Sequence, residues 1–296
     1  MSLADIQRIH EFSHQSQMHG TSITIMGGEP TVHPRFVDIM HLLRRLNPSH
    51  EMQVLTNLLC DPALLKDLAP LGVGALINVG GYLDNTEEQK QQLHANLELL
   101  GRERIFRGTC LAVTIVDPDQ DFEFLYDILR QDEAVSIGAV RIGISSPGTG
   151  FANRFPREFS TAYGDKYLEI VERVHQIRPL FVFANECFVN MCMMSEPVYN
   201  RLVRVVKGLD RYCSANLDIL PDFSTHWCFA FQEVPEMRIQ NIFDYRNLDD
   251  VYNALCAKAS KMERELGTVC DTTHCKCIEC LGPCLGMKYY LKYVKK

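Results

Sequence analysis

Short, β-branched apolar runs alternate with longer amphipathic stretches over the first two-thirds of the chain, and this alternation limits the fold more than any other feature. The runs 22–26, 52–56, 75–79, 109–116, 140–144 and 180–184 have the length of strands, and the stretches 35–46, 85–100, 121–130 and 162–177 are long enough for helices. Strand and helix taking turns at this spacing imply parallel βαβ units and hence an α/β fold, which pattern alone leaves open between a barrel and a doubly wound sheet. The chain opens on a helix, with Leu3, Ile6, Ile9 and Phe12 on one face and Ser2 as its N-cap, whereas a βα barrel opens on a strand.

After about residue 194 the pattern changes. The run 216–220 followed by Pro221-Asp222 predicts a strand and tight turn, read as a hairpin bracketed by Cys213 and Cys228. One helix is expected over 248–266, then a dense group of cysteines, then a basic, Tyr-rich end over 288–296 that reads as solvated. The expected division is a barrel over 1–194 and a small cysteine-rich module over 195–296.

Composition excludes several classes. With 296 residues, 46% hydrophobic and 23% charged, the chain has the make-up of a globular enzyme rather than a disordered or fibrous one. Its net charge of -7 argues against a nucleic-acid surface, so no DNA partner is expected. No apolar run approaches the roughly 18 residues of a membrane span, and the start lacks the basic and apolar regions of a signal peptide, so no membrane partner and a cytoplasmic location are expected. In that reducing compartment the 12 cysteines read as thiols or metal ligands rather than disulfides.

Two constellations carry chemistry. Gly27-Gly28-Glu29-Pro30 follows a predicted strand and precedes a helix: glycines let backbone approach a ligand, Glu29 accepts from a cationic amine, and Pro30 fixes the turn. A plain strand-to-helix turn is the alternative for these four residues. The second is Cys213 and Cys228 with Cys270, Cys275, Cys277, Cys280 and Cys284, a density of soft sulfur ligands suited to an iron-sulfur cluster or to zinc. Cys60, Cys110 and Cys256 sit singly in apolar stretches and read as inert. Cys187-x4-Cys192 and His274 are further candidate ligands, and His33 reads equally as a ligand contact or a helix cap.

The segment from Ile23 to Pro34, ITIMGGEPTVHP, resembles the second strand and loop of radical S-adenosylmethionine enzymes, whose GGEP-type motif holds the amino group of the cofactor. The run Gln53-Val54-Leu55-Thr56-Asn57 is similar to that family's third strand, and Ile77-Asn78-Val79-Gly80-Gly81 to its fourth. The resemblance makes Gly27, Gly28, Glu29, Pro30, Asn57 and Asn78 candidate cofactor contacts. Gly80 stands where the family has an acidic residue. Thr114 and Ser145, at the ends of the fifth and sixth strands, are also candidates, with ordinary packing or capping as their alternative reading. The tail resembles the SPASM or twitch module that carries auxiliary 4Fe-4S clusters, with zinc as the chemical rival.

The expectation is therefore a partial (β/α)6 TIM-like barrel lacking its first strand, with a C-terminal iron-sulfur module. The resemblance implies reductive cleavage of S-adenosylmethionine and hydrogen abstraction from a substrate, often a peptide or protein side chain, with electrons from a reductant such as ferredoxin or flavodoxin. The family's cluster motif, C-x3-C-x2-C, does not occur in this sequence, whose first cysteine is Cys60. Two explanations stand: the sequence starts downstream of that loop, which the opening helix favours, or the chain is a non-catalytic binding or scaffold protein with a structural metal.

Overall fold

The computed structural model describes residues 1–16, 22–131, 137–144, 161–184, 194–207, 217–267, 285–289 and 292–293. Seven strands form one sheet: β1 (Ser22–Ile25), β2 (Glu51–Thr56), β3 (Gly74–Asn78), β4 (Thr109–Ile115), β5 (Ile137–Ile144), β6 (Phe181–Ala184) and β7 (Val206–Lys207). Every pairing is parallel, and each strand lies beside its predecessor in sequence. Between successive strands run α2 (Phe36–Leu46), α3 (Pro62–Leu68), α4 (Glu87–Glu103), α5 (Glu123–Arg130), α6 (Ala162–Ile177) and α7 (Glu196–Val205).

This strand order separates the two α/β architectures. Right-handed crossovers that all step in one direction place every helix on the same face and coil the sheet, whereas a doubly wound sheet reverses direction and carries helices on both faces. The chain is a partial TIM-like barrel. The alternation runs beyond residue 194, where the sequence pattern changes, because α7 and the two-residue β7 extend it to Lys207.

Local chemistry accounts for the helix starts. Ser2 and Asp5 form a capping box at α1 (Leu3–Ser13), Thr86 and Gln89 form one at α4, and Asp61 caps α3 with Pro62 in its first turn. Helical apolar stripes such as Phe36, Ile39, Met40 and Leu43 of α2 then pack on strand residues including Val54, Ala75, Ile77, Leu111, Val113, Val140 and Ile142. Each such Val, Leu, Ile, Phe or Met side chain fully withdrawn from water contributes about 1.5–3 kcal/mol.

A second core forms around α8 (Leu248–Leu266), through Val251, Leu255, Ala259 and Met262, with Trp227, Phe231, Met237, Ile239 and Ile242. The helix spans the residues expected. The expected hairpin differs. Residues 217–220 are not a strand; the antiparallel pair is β8 (Thr225–His226) with β9 (Arg238–Ile239). Asp222 explains this, because its Oδ1 accepts from Ser224 N at 3.1 Å and Ser224 Oγ at 2.5 Å, folding the Pro-Asp turn back on itself so that β8 finds its partner across a longer loop.

Helix α1 joins the two cores. Ile6 belongs to the barrel core and Phe12 to the second; Arg8 lies over the Phe243 ring at 3.7 Å, and the buried Ser16 Oγ accepts from Leu248 N at 2.8 Å at the start of α8. No helix among the described residues is long and apolar enough to cross a membrane.

Candidate functional site

The C-terminal ends of β1 to β4 lie side by side, the rim where parallel α/β barrels bind their ligands. At the end of β1, Glu29 caps a 3-10 turn over Pro30–Val32 and turns its carboxylate toward the neighbouring strand. Its Oε1 accepts from Thr31 N at 3.1 Å, Thr31 Oγ1 at 2.6 Å and Thr56 Oγ1 at 2.8 Å. Its Oε2 accepts from Asn57 N at 2.7 Å. Oε1 is thus committed to holding the β1 and β2 loops together, whereas Oε2 keeps capacity for a second donor.

Gly27 and Gly28 flank this carboxylate on the exposed side. Neither has the positive φ that demands glycine, and a Cβ added to either would meet nothing within 4 Å. Neither backbone strain nor packing within the protein therefore calls for these glycines, and both leave their surroundings open. The residues present, a carboxylate oxygen with one donor beside two exposed glycines, suit a cationic amine.

The β2 loop is held firmly. Thr56 Oγ1 accepts from Leu58 N at 2.9 Å while donating to Glu29, and Asn57 Oδ1 accepts from Leu59 N at 2.9 Å. Leu58 is fully buried at a left-handed φ of 61°. Its carbonyl and that of Cys60 both accept from Asn96 Nδ2 at 2.9 Å, so a buried side chain of α4 fixes the turn. Burial, then the charge of Glu29, pushes the Cys60 thiol up to about 11, which favours the protonated thiol at neutral pH.

The other candidates continue along the rim. Asn78, exposed at the end of β3, accepts from Gly80 N at 3.0 Å in its own turn. A Cβ on Gly80 would lie 3.2 Å from Asn78 Oδ1 and 3.9 Å from Thr114 N, which brings the β3 loop against half-exposed Thr114 of β4. Adjacent strands are about 4.8 Å apart, so the rim from β1 to β4 spans about 14 Å. Ser145 lies outside the described residues. His33 takes the local role, its Nδ1 accepting from Arg35 N at 3.1 Å ahead of α2.

Sequence reasoning missed Thr31, Thr56 and Asn96. Only Asn96 left a clear signal: it stands on the stripe Leu93, Leu97 and Leu100, where an amide is out of place unless it has a task.

In the second core, Cys228 is half-buried and caps the turn Phe229–Phe231, its carbonyl accepting from Phe231 N at 2.9 Å. Cys213, Cys270, Cys275, Cys277, Cys280 and Cys284 lie outside the described residues, as do Cys187, Cys192 and His274. Among the described residues, no three His, Cys, Asp or Glu side chains stand together as a metal site. Burial, and secondarily the Arg238 charge, holds the His226 imidazole below its ordinary range.

No protein-family model and no curated protein matches the chain. Solved structures do. SuiB of Streptococcus suis bound to S-adenosylmethionine aligns over 100% of this chain and 68% of its own, with 16% identity and a TM-score of 0.63. SuiB bound to the precursor peptide SuiA aligns over 85% of this chain and 58% of its own, with 16% identity and a TM-score of 0.61. The chain thus spans between 58% and 68% of these SuiB chains and shares their fold, the α/β barrel expected from the sequence.

Proposed function

We propose that this chain is a radical S-adenosylmethionine-type protein that binds S-adenosylmethionine along the β1–β4 rim and presents it to a peptide or protein substrate. The observation that carries this reading is Glu29: one oxygen is consumed in bracing two loops, and the other, among the described residues, accepts only from Asn57 N at 2.7 Å, beside two glycines whose Cβ positions are open. A ligand ammonium donating to Oε2 gains a charge-assisted hydrogen bond on a carboxylate that need not reorient. Asn57, Asn78 and Thr114 then line the path of the remaining cofactor, and Ser145 is kept as a further contact on the sequence resemblance. The fold of SuiB, solved with S-adenosylmethionine and with a precursor peptide, supports both ligand classes.

In the family this reading invokes, a 4Fe-4S cluster supplies the electron that cleaves the sulfonium, drawn from a reductant of the ferredoxin or flavodoxin type. The sequence contains no C-x3-C-x2-C to hold that cluster, so no cleavage step is assigned to these residues. The same fact favours a second reading, a cofactor- and peptide-binding scaffold without radical chemistry. The cysteine-rich tail is proposed as an auxiliary iron-sulfur site, with zinc as its rival.

Equilibrium dialysis with S-adenosylmethionine tests the binding claim; no saturable binding sinks it. Anaerobic incubation of the reconstituted protein with the cofactor and dithionite separates the two readings of chemistry. The expected result is no 5′-deoxyadenosine, and its formation overturns the inference from the missing motif.

A further inference from the structure

The strand register shows which side chains the barrel turns inward. Ile77, Leu111, Val140, Ile142, Val182 and Val206 pack under the helices in the main core. Side chains alternate along a strand, so Asn78, Ala112, Arg141 and Lys207 fall on the opposite, inner face. They also stand in one row. Asn78 pairs with Ala112 and Ala112 with Arg141, and the backbone of Phe183 links Arg141 to Lys207. The row thus carries Asn78 of the proposed cofactor rim at one end and two cations at the other.

Two contacts agree with this placement. The Lys207 ammonium stands 4.4 Å from the centroid of the Phe181 ring, which occupies another inward position and is 60% exposed. Burial pushes the thiol of Cys110, also inward, up to about 11, and the Arg141 charge opposes that rise. Cys110, Ala139 and Phe181 pair in the neighbouring inward row, so the floor between the two cations is the small, half-exposed Ala139. Neither cation has a counter-ion: among the described residues, Arg141 and Lys207 form no ion pair and donate no side-chain hydrogen bond. The one carboxylate at an inward strand position among those residues is Glu51, at the far end of β2, about 20 Å from the level of Asn57. In a chain of net charge -7, two uncompensated cations on one inner face repel each other and call for an anion between them.

The geometry points to a second site on the inner face of β5–β7, in which Arg141 and Lys207 together receive an acidic side chain of a peptide or protein substrate. This rests on the proposed function and adds a substrate class to it. Two strand spacings, about 10 Å between Cα atoms, separate the cations, a gap that two long side chains close from either side of one carboxylate. Arg141 offers a planar fork of donors and Lys207 a point charge. The exposed Phe181 ring beside them adds apolar area, which suits a carboxylate carried on methylenes better than inorganic phosphate. Asn78 lies two spacings from Arg141 on the other side, so the acidic residue is held across from the proposed cofactor.

The test titrates the full chain into an end-blocked peptide of alternating Gly and Glu that carries a neutral dye, read by fluorescence anisotropy beside its Gly–Gln counterpart. The Glu peptide should bind at least about tenfold more tightly than the Gln peptide. R141Q and K207Q should each weaken the Glu peptide about 5- to 10-fold and leave the Gln peptide unchanged. R141K, which keeps a cation, should retain most of the preference, and this sets a folding defect apart. R102Q removes a cation exposed on α4 and should change nothing, which sets general charge attraction apart. Equal affinities for the two peptides, no binding of either, wild-type affinity in R141Q or K207Q, or an equal loss in R102Q overturns the assignment. So does inorganic phosphate that binds through Arg141 when the Glu peptide does not. Equilibrium dialysis of the wild type with S-adenosylmethionine judges the rim separately: cofactor binding without a Glu preference sinks the anion site alone, and a Glu preference without cofactor binding sinks the rim reading alone.

Discussion

Replacing Glu29 by Gln preserves its shape and tests both of its jobs at once. The wild-type carboxylate receives four donors, from Thr31 N, Thr31 Oγ1, Thr56 Oγ1 and Asn57 N. Gln offers one acceptor oxygen. If that oxygen takes the Oε1 place, the amide NH2 meets the Asn57 N–H across 2.7 Å, donor against donor; the flipped amide opposes the three donors on Oε1 instead. The first arrangement is cheaper and costs about 1–3 kcal/mol, a melting-temperature loss of about 2–10 °C for a domain of this size. Loss of the charge-assisted bond to the ligand ammonium removes a further 1.5–3 kcal/mol or so, weakening S-adenosylmethionine binding about 10- to 150-fold. Equilibrium dialysis of wild type and E29Q against the cofactor and an analogue lacking its α-amino group isolates the second effect as a coupling energy. E29Q should hardly change the affinity of the analogue. Equal losses for both ligands, or E29Q within twofold of wild type for the cofactor, refute the role given to Oε2.

Asn96→Ala strips the donors from the Leu58 and Cys60 carbonyls, each now at 2.9 Å, and should destabilise by about 2–4 kcal/mol in urea unfolding while also weakening cofactor binding through the loosened Asn57 turn. Ser16→Ala removes the acceptor for Leu248 N and should cost about 0.5–2 kcal/mol; Phe12→Ala, which empties a place in the second core, should cost about 3–5 kcal/mol by the same assay. Burial raises the Cys60 and Cys110 thiols from 9.0 to about 11, so the folded state holds protons that the unfolded chain has released. Stability should therefore fall as pH rises from about 9 to 11. The C60A/C110A double variant should flatten that slope, and an unchanged slope refutes the assignment.

Much of the barrel was legible because its strands are short β-branched runs bounded by Gly, Asp or Asn, and its helices carry continuous apolar stripes. Outside the barrel, the span 248–266 was legible for like reasons, since Asn247 caps it and Gly267 ends it at a φ of 63°. Helix α3 went unread although Asp61-Pro62 marks its start, because its seven residues carry little periodicity. Strand β7 is two residues long, below what any pattern resolves. The hairpin misled because a Pro-Asp turn predicts local strand pairing, whereas Asp222 spends its hydrogen bonds on Ser224 and Arg238. At the rim, the GGEP run was visible, but nothing local reveals that Thr56, 27 positions away, braces Glu29.

That long-range brace bears on how a carboxylate already rich in internal partners can serve as the ligand acceptor proposed for the rim. A free glutamate at a loop tip would lose rotamer freedom on capturing an amine, and its gain would shrink accordingly. Here Thr31, Thr56 and Asn57 restrict the side chain during folding, with Asn96 and the left-handed Leu58 restricting Asn57 in turn. The ordering cost is met by the protein before any ligand arrives, and the lone pair left on Oε2 is fixed in direction beside the open glycine flank. The turn reading of GGEP accounts for the bonds to Oε1 and for Pro30; it gives no reason for glycine at 27 and 28, where φ is ordinary and a Cβ would meet nothing. Gly27→Ala and Gly28→Ala divide the two readings: each should leave the melting temperature nearly unchanged while weakening S-adenosylmethionine binding, because the added methyl occupies space that only the ligand uses.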